Sequence, residues 1–195
     1  MSMRIVTIAA TVLVAGIAGY AALLAAKPPA DPLRMTSPER PVWTQVVWPF
    51  PIDEWGGGWA FHCKATDCGT DTNLYLRPKI GFCNCKAGVA DDEELDRVSD
   101  IDLVGSERSA LGPGRPIKLD WMKGRGRGYQ VVVPGGSDRS AKSLLSLAFN
   151  PINDTCDVIV ATVVAGDGRF AQEQAVLEFL DGDLVRHYAE TVLGL

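Results

Sequence analysis

The feature that most constrains this chain is a long uncharged segment near its start, "IVTIAATVLVAGIAGYAALLAA", Ile5 to Ala26. A helix of about 22 residues is about 33 Å long, and the hydrocarbon core of a bilayer is about 30 Å thick. Residues 1–26 are therefore predicted to form a single-span transmembrane helix that acts as a signal-anchor.

A cleaved secretory signal is the alternative for this segment. The apolar run is longer than the roughly 7–15 residues of a signal core. Cleavage after Ala26 would also put the large side chain of Leu24 where signal peptidase prefers a small residue. Both features favour an uncleaved anchor.

The charges that flank the anchor do not fix its orientation, because Arg4 precedes it and Lys27, Arg34 and Arg40 follow it. Long carboxy-terminal domains cross membranes largely regardless of such charges. We therefore predict a single-pass protein of the inner or plasma membrane whose C-terminal domain is exported, either to a periplasm or to the cell exterior.

Proline dominates the next segment, Lys27 to Pro41, which has no apolar periodicity. Residues 27–41 are predicted to form a spacer that reaches up to about 45 Å if it is polyproline-like. Residues 42–195 remain for one domain, and the whole chain has a formal net charge of −5. An acidic domain is a poor candidate for binding nucleic acid.

The domain alternates short apolar segments with turn residues until its last quarter, where the period becomes helical. Cys156–Val164, apolar and β-branched on both faces, predicts a central strand.

"KGRGRG" after Met122 predicts a hairpin turn with solvated arginines. Asp91 with Glu94 predicts the start of a short helix whose acidic side chains face solvent. The expected class is α+β, with a mainly antiparallel sheet and helices at the C-terminus on one face of it. The terminal helices are predicted to begin near Arg169 and to break at Gly182. The remaining predicted strands are the two joined by the "KGRGRG" turn, Val42–Trp48, Trp59–Lys64, Asn73–Leu76, Lys79–Cys83 and Ser143–Asn150.

Four cysteines, Cys63, Cys68, Cys83 and Cys85, cluster in the sequence, and an oxidising compartment would convert them to two disulfides. In an extended strand, the Cα atoms of Cys83 and Cys85 would lie about 6.5 Å apart with parallel side chains, so they should not pair with each other. Each is then expected to pair with Cys63 or Cys68, which leaves two connectivities open. Cys156 is expected to be an inert buried thiol.

The alternative is a metal or thiol-redox centre that uses His62 with the same four cysteines. Four thiolates can hold Zn²⁺, but a C-x-C pair is a poor match to the usual C-x2–4-C spacing. No C-x-x-C pair of the thioredoxin type is present. The disulfide interpretation is the preferred one.

Four tryptophans lie close together, at Trp43, Trp48, Trp55 and Trp59. They form either an exposed docking patch or a set of rings packed at the edge of the core. They are the predicted partner-binding residues if the first alternative holds.

The sequence contains no G-x-S-x-G elbow, and its histidines are His62 and His187. We predict no catalytic residues, no enzyme activity and no cofactor. The function that remains is a membrane-anchored accessory or assembly subunit of a membrane-protein complex, which binds a partner protein through its exported domain. The alternative function is metal binding or thiol-redox chemistry at the His62 and cysteine cluster.

Overall fold

The structure is a computed structural model, and it describes residues 41–133, 140–152, 156–166 and 173–195. The predicted anchor, residues 1–26, and all of the predicted spacer before Pro41 lie outside these ranges. Within the described ranges, no helix combines the length and apolar character needed to cross a membrane.

One antiparallel sheet of eight strands dominates the described part of the chain. Its strand order is β1-β2-β3-β8-β7-β6-β4, and β5 pairs with β6 beyond the end of β4. The mainly antiparallel sheet predicted from the sequence is confirmed. The strands are β1 Thr44–Val46, β2 Trp59–Cys63, β3 Thr72–Lys79, β4 Glu107–Ala110, β5 Arg115–Lys118, β6 Met122–Val133, β7 Ser140–Pro151 and β8 Val158–Ala165.

Strand β8 occupies the centre of the sheet between β3 and β7. Every residue of β8 is buried. Its side chains alternate between the two faces, so both faces must be covered by other elements. The prediction of a central strand here is confirmed.

Five helices are found among the described residues. They are α1 Ala65–Cys68, α2 Asp92–Val98, α3 Ile101–Val104, α4 Glu173–Leu180 and α5 Asp183–Leu193. Helix α2 begins as predicted, because the Asp91 side chain accepts a hydrogen bond from the Glu94 amide at 2.8 Å. The two terminal helices are confirmed as well, and Gly182 is the N-cap that separates them.

The helices cover both faces of the sheet. On one face, called here the terminal-helix face, Val176 and Leu180 of α4 and Val185 and Tyr188 of α5 pack in one cluster with Leu74, Leu76, Leu147, Phe149 and Ile159. On the opposite face, Leu95 and Val98 of α2 pack with Val158 and Val160, and Ile101 of α3 packs with Tyr129 and Val164. The two C-terminal helices therefore lie on one face of the sheet, as expected, and the short helices α2 and α3 cover the other face.

Strand β6 differs from the sequence-based expectation. "KGRGRG" is not a hairpin turn, because it lies inside β6 and pairs continuously with β7. Its period of two places the glycines on the terminal-helix face and the arginines on the face of α2. Glycine is required at position 124 because a Cβ atom there would overlap the carbonyl oxygen of Ala148.

Lys79–Cys83 is also not a strand of its own. Lys79 is the last residue of β3, and a turn follows from Ile80. Two further strands precede and include Ile117, namely β4 and β5.

Candidate functional site

The structure contains two disulfides, as predicted, but their pairing differs from both predicted connectivities. Cys63 pairs with Cys68 across α1, with Cα atoms 6.0 Å apart. Cys85 pairs with Cys156, 71 residues away, with Cα atoms 4.3 Å apart. Cys83 belongs to neither bridge, so its assignment as a disulfide residue is corrected.

The turn after β3 is the reason for this error. The residues from Ile80 onward are not extended, so Cys83 is buried while Cys85 is exposed, and the two side chains do not point the same way. Cys156 lies before β8, where its carbonyl accepts a hydrogen bond from the Cys83 amide at 2.9 Å. That backbone contact brings the 83–85 segment beside Cys156, which is therefore a bridge residue and not an inert thiol.

The Cys83 thiol is held in a polar contact inside the domain. The side-chain amide nitrogen of Asn150 lies 2.7 Å from its sulfur. Burial raises the pKa of Cys83, and this outweighs the opposing effect of the Asn150 amide. A thiol with a raised pKa is a weaker nucleophile and a weaker metal ligand at neutral pH.

The residues of the predicted metal centre do not converge. Cys63 pairs in register with Thr72 at the start of β3, whereas Cys83 and Cys85 follow the end of β3. An eight-residue strand separates its ends by about 23 Å, far beyond a shared coordination sphere. Among the described residues, no group of three or more His, Cys, Asp or Glu side chains is arranged to hold a metal ion.

His62 lies on β2 beside β3. Its Nδ1 lies 3.2 Å from the side-chain oxygen of Asn73, and its Nε2 lies 3.7 Å from Asp71. The ring is thereby oriented by two polar neighbours from the start of β3.

The four tryptophans pack within the domain. Each ring contacts another aromatic side chain at a centroid distance between 4.3 and 6.0 Å. These contacts fit the alternative of rings at the edge of the core, and docking through the whole set stays a prediction. The pairs are Trp43 with Phe179, Trp48 with Tyr75, Trp55 with Phe82 and Trp59 with Tyr188.

A buried ion cluster fixes the segment that carries two of these tryptophans, Trp48 to Gly58, called here the strap. Arg77 of β3 donates from Nη1 to both oxygens of Asp53 in the strap, at 2.8 and 2.7 Å. The same guanidinium and the Lys79 ammonium group both contact Asp100, which precedes α3. The strap is therefore attached to the sheet through charge-assisted hydrogen bonds.

Sequence reasoning did not find this cluster. The available signal is that Arg77 and Lys79 fall on one face of a strand whose neighbours are apolar. Two cations on a buried face require anionic partners, since an unpaired buried charge is very costly.

The acidic stretch around α2 is only partly solvated, which corrects the expectation of a solvent-facing helix. Asp92 accepts hydrogen bonds from the Gly114 amide and from Arg125 Nε. Asp96 is paired with Arg127 and accepts from the Tyr129 hydroxyl. The arginines of "GRGRG" thus hold the acidic helix on the sheet.

Exposed apolar side chains concentrate around β1 instead of on the tryptophan rings. Val47 is 87% exposed, Ile52 is 71% exposed and Val42 is 58% exposed. All three residues of β1 itself are exposed. Among the described strands, only β2 pairs with β1, which leaves the other edge of β1 open.

The two edges of the sheet differ in charge. Strands β4 and β5 carry charged side chains or proline, namely Glu107, Arg108, Arg115, Pro116 and Lys118. Such residues protect edge strands against pairing with another chain. The β1 edge, Val42 to Val47, carries neither a charge nor a proline.

An open groove lies beside this edge on the terminal-helix face. Its volume is about 390 Å³, and it is lined by Pro41, Trp43, Ala175, Glu178, Phe179 and Asp181. The groove and the uncharged edge together form the candidate functional site.

No protein-family model matches the chain, and a search of curated proteins finds no relative.

Proposed function

We propose that this chain is a membrane-anchored accessory or assembly subunit whose exported domain binds a protein of a membrane complex through the β1 edge. The observation that carries the proposal is the open, uncharged β1 edge with its exposed valines. An extended segment of the partner adds to β1 as a further strand. Main-chain hydrogen bonds then supply affinity, and alternate side chains supply specificity.

The position of β1 along the chain supports this proposal. Strand β1 is the first element of the domain and follows the proline-rich segment that ends at Pro41. A spacer of about 15 residues spans at most about 45 Å as polyproline II. The uncharged edge thus stays within that distance of the proposed anchor, where the exported segments of a membrane protein are found.

The contrast between the edges also supports it. An unprotected edge is a liability that natural sheets blunt with charge, proline or short length. The opposite edge of this sheet carries charges and a proline, whereas β1 carries neither and has only its length of three residues as protection. A partner strand that covers β1 would explain why this edge lacks the charges and proline of the opposite edge.

The test compares complex formation in mild detergent extracts of native membranes. Val46→Lys puts a charge on the β1 edge, and Ala110→Lys puts the same charge on the exposed β4 edge as the matched control. We expect Val46→Lys to shift the protein from a large assembly to its own size on native gels, while Ala110→Lys comigrates with wild type. Equal assembly of both variants, with unchanged circular dichroism, would contradict the proposal.

The proposed location has a separate test. Alkaline phosphatase fused after Leu195 is active only where disulfides form, so an exported domain gives an active fusion. In the Val46→Lys variant, which is expected to lose the partner, replacing Ile5–Ala26 by a cleavable signal should release the fusion from washed membranes. An inactive fusion would place the domain on the other side of the membrane.

A further inference from the structure

We propose that the groove beside β1 binds an arginine side chain carried by the partner strand. The inference rests on the proposed function, because it names the chemistry of the segment that adds to β1. It is carried by the aromatic floor of the groove, its acidic rim and its position at the end of α4.

The floor of the groove is a pair of aromatic rings. Trp43 and Phe179 have centroids 5.2 Å apart with an interplanar angle of 30°. Phe61 contacts Phe179 from the core in an edge-to-face arrangement at 5.0 Å, which holds the ring in place. Both floor rings are half-buried, so part of their surface remains available to a ligand.

The rim of the groove is acidic. Glu178 is exposed on the last turn of α4, and Asp181 follows the helix directly. The Asp181 carboxylate also accepts a hydrogen bond from the Asp120 amide at 2.9 Å, which fixes its orientation. Both carboxylates line the same cavity as the aromatic floor.

The end of α4 adds a further attraction for a cation. The C-terminus of a helix carries a partial negative charge and is usually neutralised by Lys, Arg or His in the last turn. Helix α4 has no basic residue in its last turn and has Glu178 there instead. A cation bound in the groove would meet this partial charge together with two carboxylates.

Arginine fits this combination better than lysine. A guanidinium group stacks on the face of a tryptophan and donates in a planar fork to carboxylates. Its aliphatic stem can also lie on the apolar floor. Trp43, Phe179 and two carboxylates line the groove, and these are side-chain types that bind a guanidinium.

The geometry of the sheet links the groove to strand addition. Gln45 pairs in register with Phe61, whose side chain lies in the core of the terminal-helix face. Trp43, two residues before Gln45, is on the same face by the alternation of the strand. Every second residue of an added strand therefore points to this face, and one of them reaches the groove.

The experiment uses the full chain in detergent micelles and N-acetyl-arginine amide as the probe. N-acetyl-citrulline amide, which has nearly the same shape without the charge, is the control ligand. Binding is followed by the indole NMR signal of Trp43 up to about 10 mM, because a ligand this small binds weakly. We expect a saturable shift with the arginine probe. The citrulline control should bind at least about fivefold more weakly, or not at all.

Matched variants locate the binding. Glu178→Gln combined with Asp181→Asn should weaken the arginine probe about fivefold or more, since it removes both rim charges. Asp67→Asn combined with Glu93→Gln removes the same charge from two positions outside the groove, the first half-buried and the second exposed, and should leave binding unchanged. Three outcomes would overturn the inference. They are equal responses to the two probes, no response to either probe, and binding of the arginine probe that persists after both rim charges are removed.

Two further outcomes are separable. If the probe binds only after Arg40→Ser, then Arg40 of this chain occupies the groove in the wild-type protein, and the inference about the partner is overturned. If the probe fails while Val46→Lys still abolishes assembly, the groove inference falls and the proposed function stands.

Discussion

Arg77 donates from Nε to Asp100 at 3.0 Å, and the two side chains are only 3% and 5% exposed. The pair joins the middle of the sheet to the residue that precedes α3. Because Arg77 also holds Asp53, a single guanidinium connects β3, the helical layer and the strap. Replacing it by an uncharged residue would leave Asp100 buried with Lys79 as its remaining cation partner among the described residues.

Arg77→Met is therefore expected to lower the free energy of unfolding by about 3–5 kcal/mol, the usual cost of breaking one side of a buried ion pair. Urea unfolding measures the change. Arg108→Met is the matched control, because Arg108 pairs with the exposed Asp102 and such surface pairs contribute about 0–1 kcal/mol. Equal losses in the two variants would contradict a structural role for the buried cluster.

The two disulfides should contribute unequally. In the chain-entropy model, a bridge across 71 residues contributes about 4 kcal/mol and one across 5 residues about 2 kcal/mol. Cys85→Ser with Cys156→Ser should thus destabilise the domain more than Cys63→Ser with Cys68→Ser. Peptide mapping without reduction checks the pairing, and a peptide that links Cys63 to Cys83 or Cys85 would refute it.

The glycines of β6 should differ in their tolerance of a methyl group. Gly124→Ala would push a Cβ atom against the Ala148 carbonyl on β7, so we expect a loss of about 2 kcal/mol or more. Gly128→Ala meets only Leu111 side-chain atoms at 3.8 Å or beyond, and it should be neutral or slightly stabilising. Thermal unfolding of both variants decides the matter, and a reversed order would place this segment outside the sheet.

Acid should weaken the attachment of α2. Hydrogen bonds from the Gly114 amide, followed by Arg125, hold the pKa of Asp92 below its usual value. A carboxyl group with a lowered folded-state pKa stabilises the fold above its unfolded pKa of about 3.9, and this stabilisation disappears as pH falls through the folded value. Stability should therefore decrease from about pH 4 downward.

Asp92→Asn should make that decrease shallower in urea unfolding experiments between about pH 6 and about pH 3. Glu93→Gln, one residue along and exposed, is the control and should follow the wild-type slope. Parallel slopes for all three proteins would show that Asp92 is not a source of the acid sensitivity.

Periodicity predicted the parts of the fold in which local pattern and burial agree. The β-branched run that ends at Val164 is central because it is apolar on both faces, and the terminal helices show a period of 3.6 with Gly182 between them. The local sequence pattern of these segments is sufficient to determine their secondary structure, so no long-range contact was needed to predict them.

Long-range contacts decided what the sequence could not. The disulfide pairing depends on the turn after Lys79, which brings Cys85 beside Cys156, and no local pattern indicates that approach. "GRGRG" resembles a turn by composition, although its alternation of Gly and Arg is also the period of a strand. The candidate groove joins Trp43 to Phe179, and these residues meet only because α4 packs back beside β1.

The place of β1 at the sheet edge has a mechanical consequence. Any tension transmitted through the residues that precede Pro41 reaches β1 before the rest of the domain, and β1 is joined to β2 along only three register pairs. A force directed across the strand would break these hydrogen bonds one after another, which requires less force than shearing them together. The Arg77–Asp53 contact would then be the next point to carry the load, so the strap would act as a mechanical stop between β1 and the core of the domain.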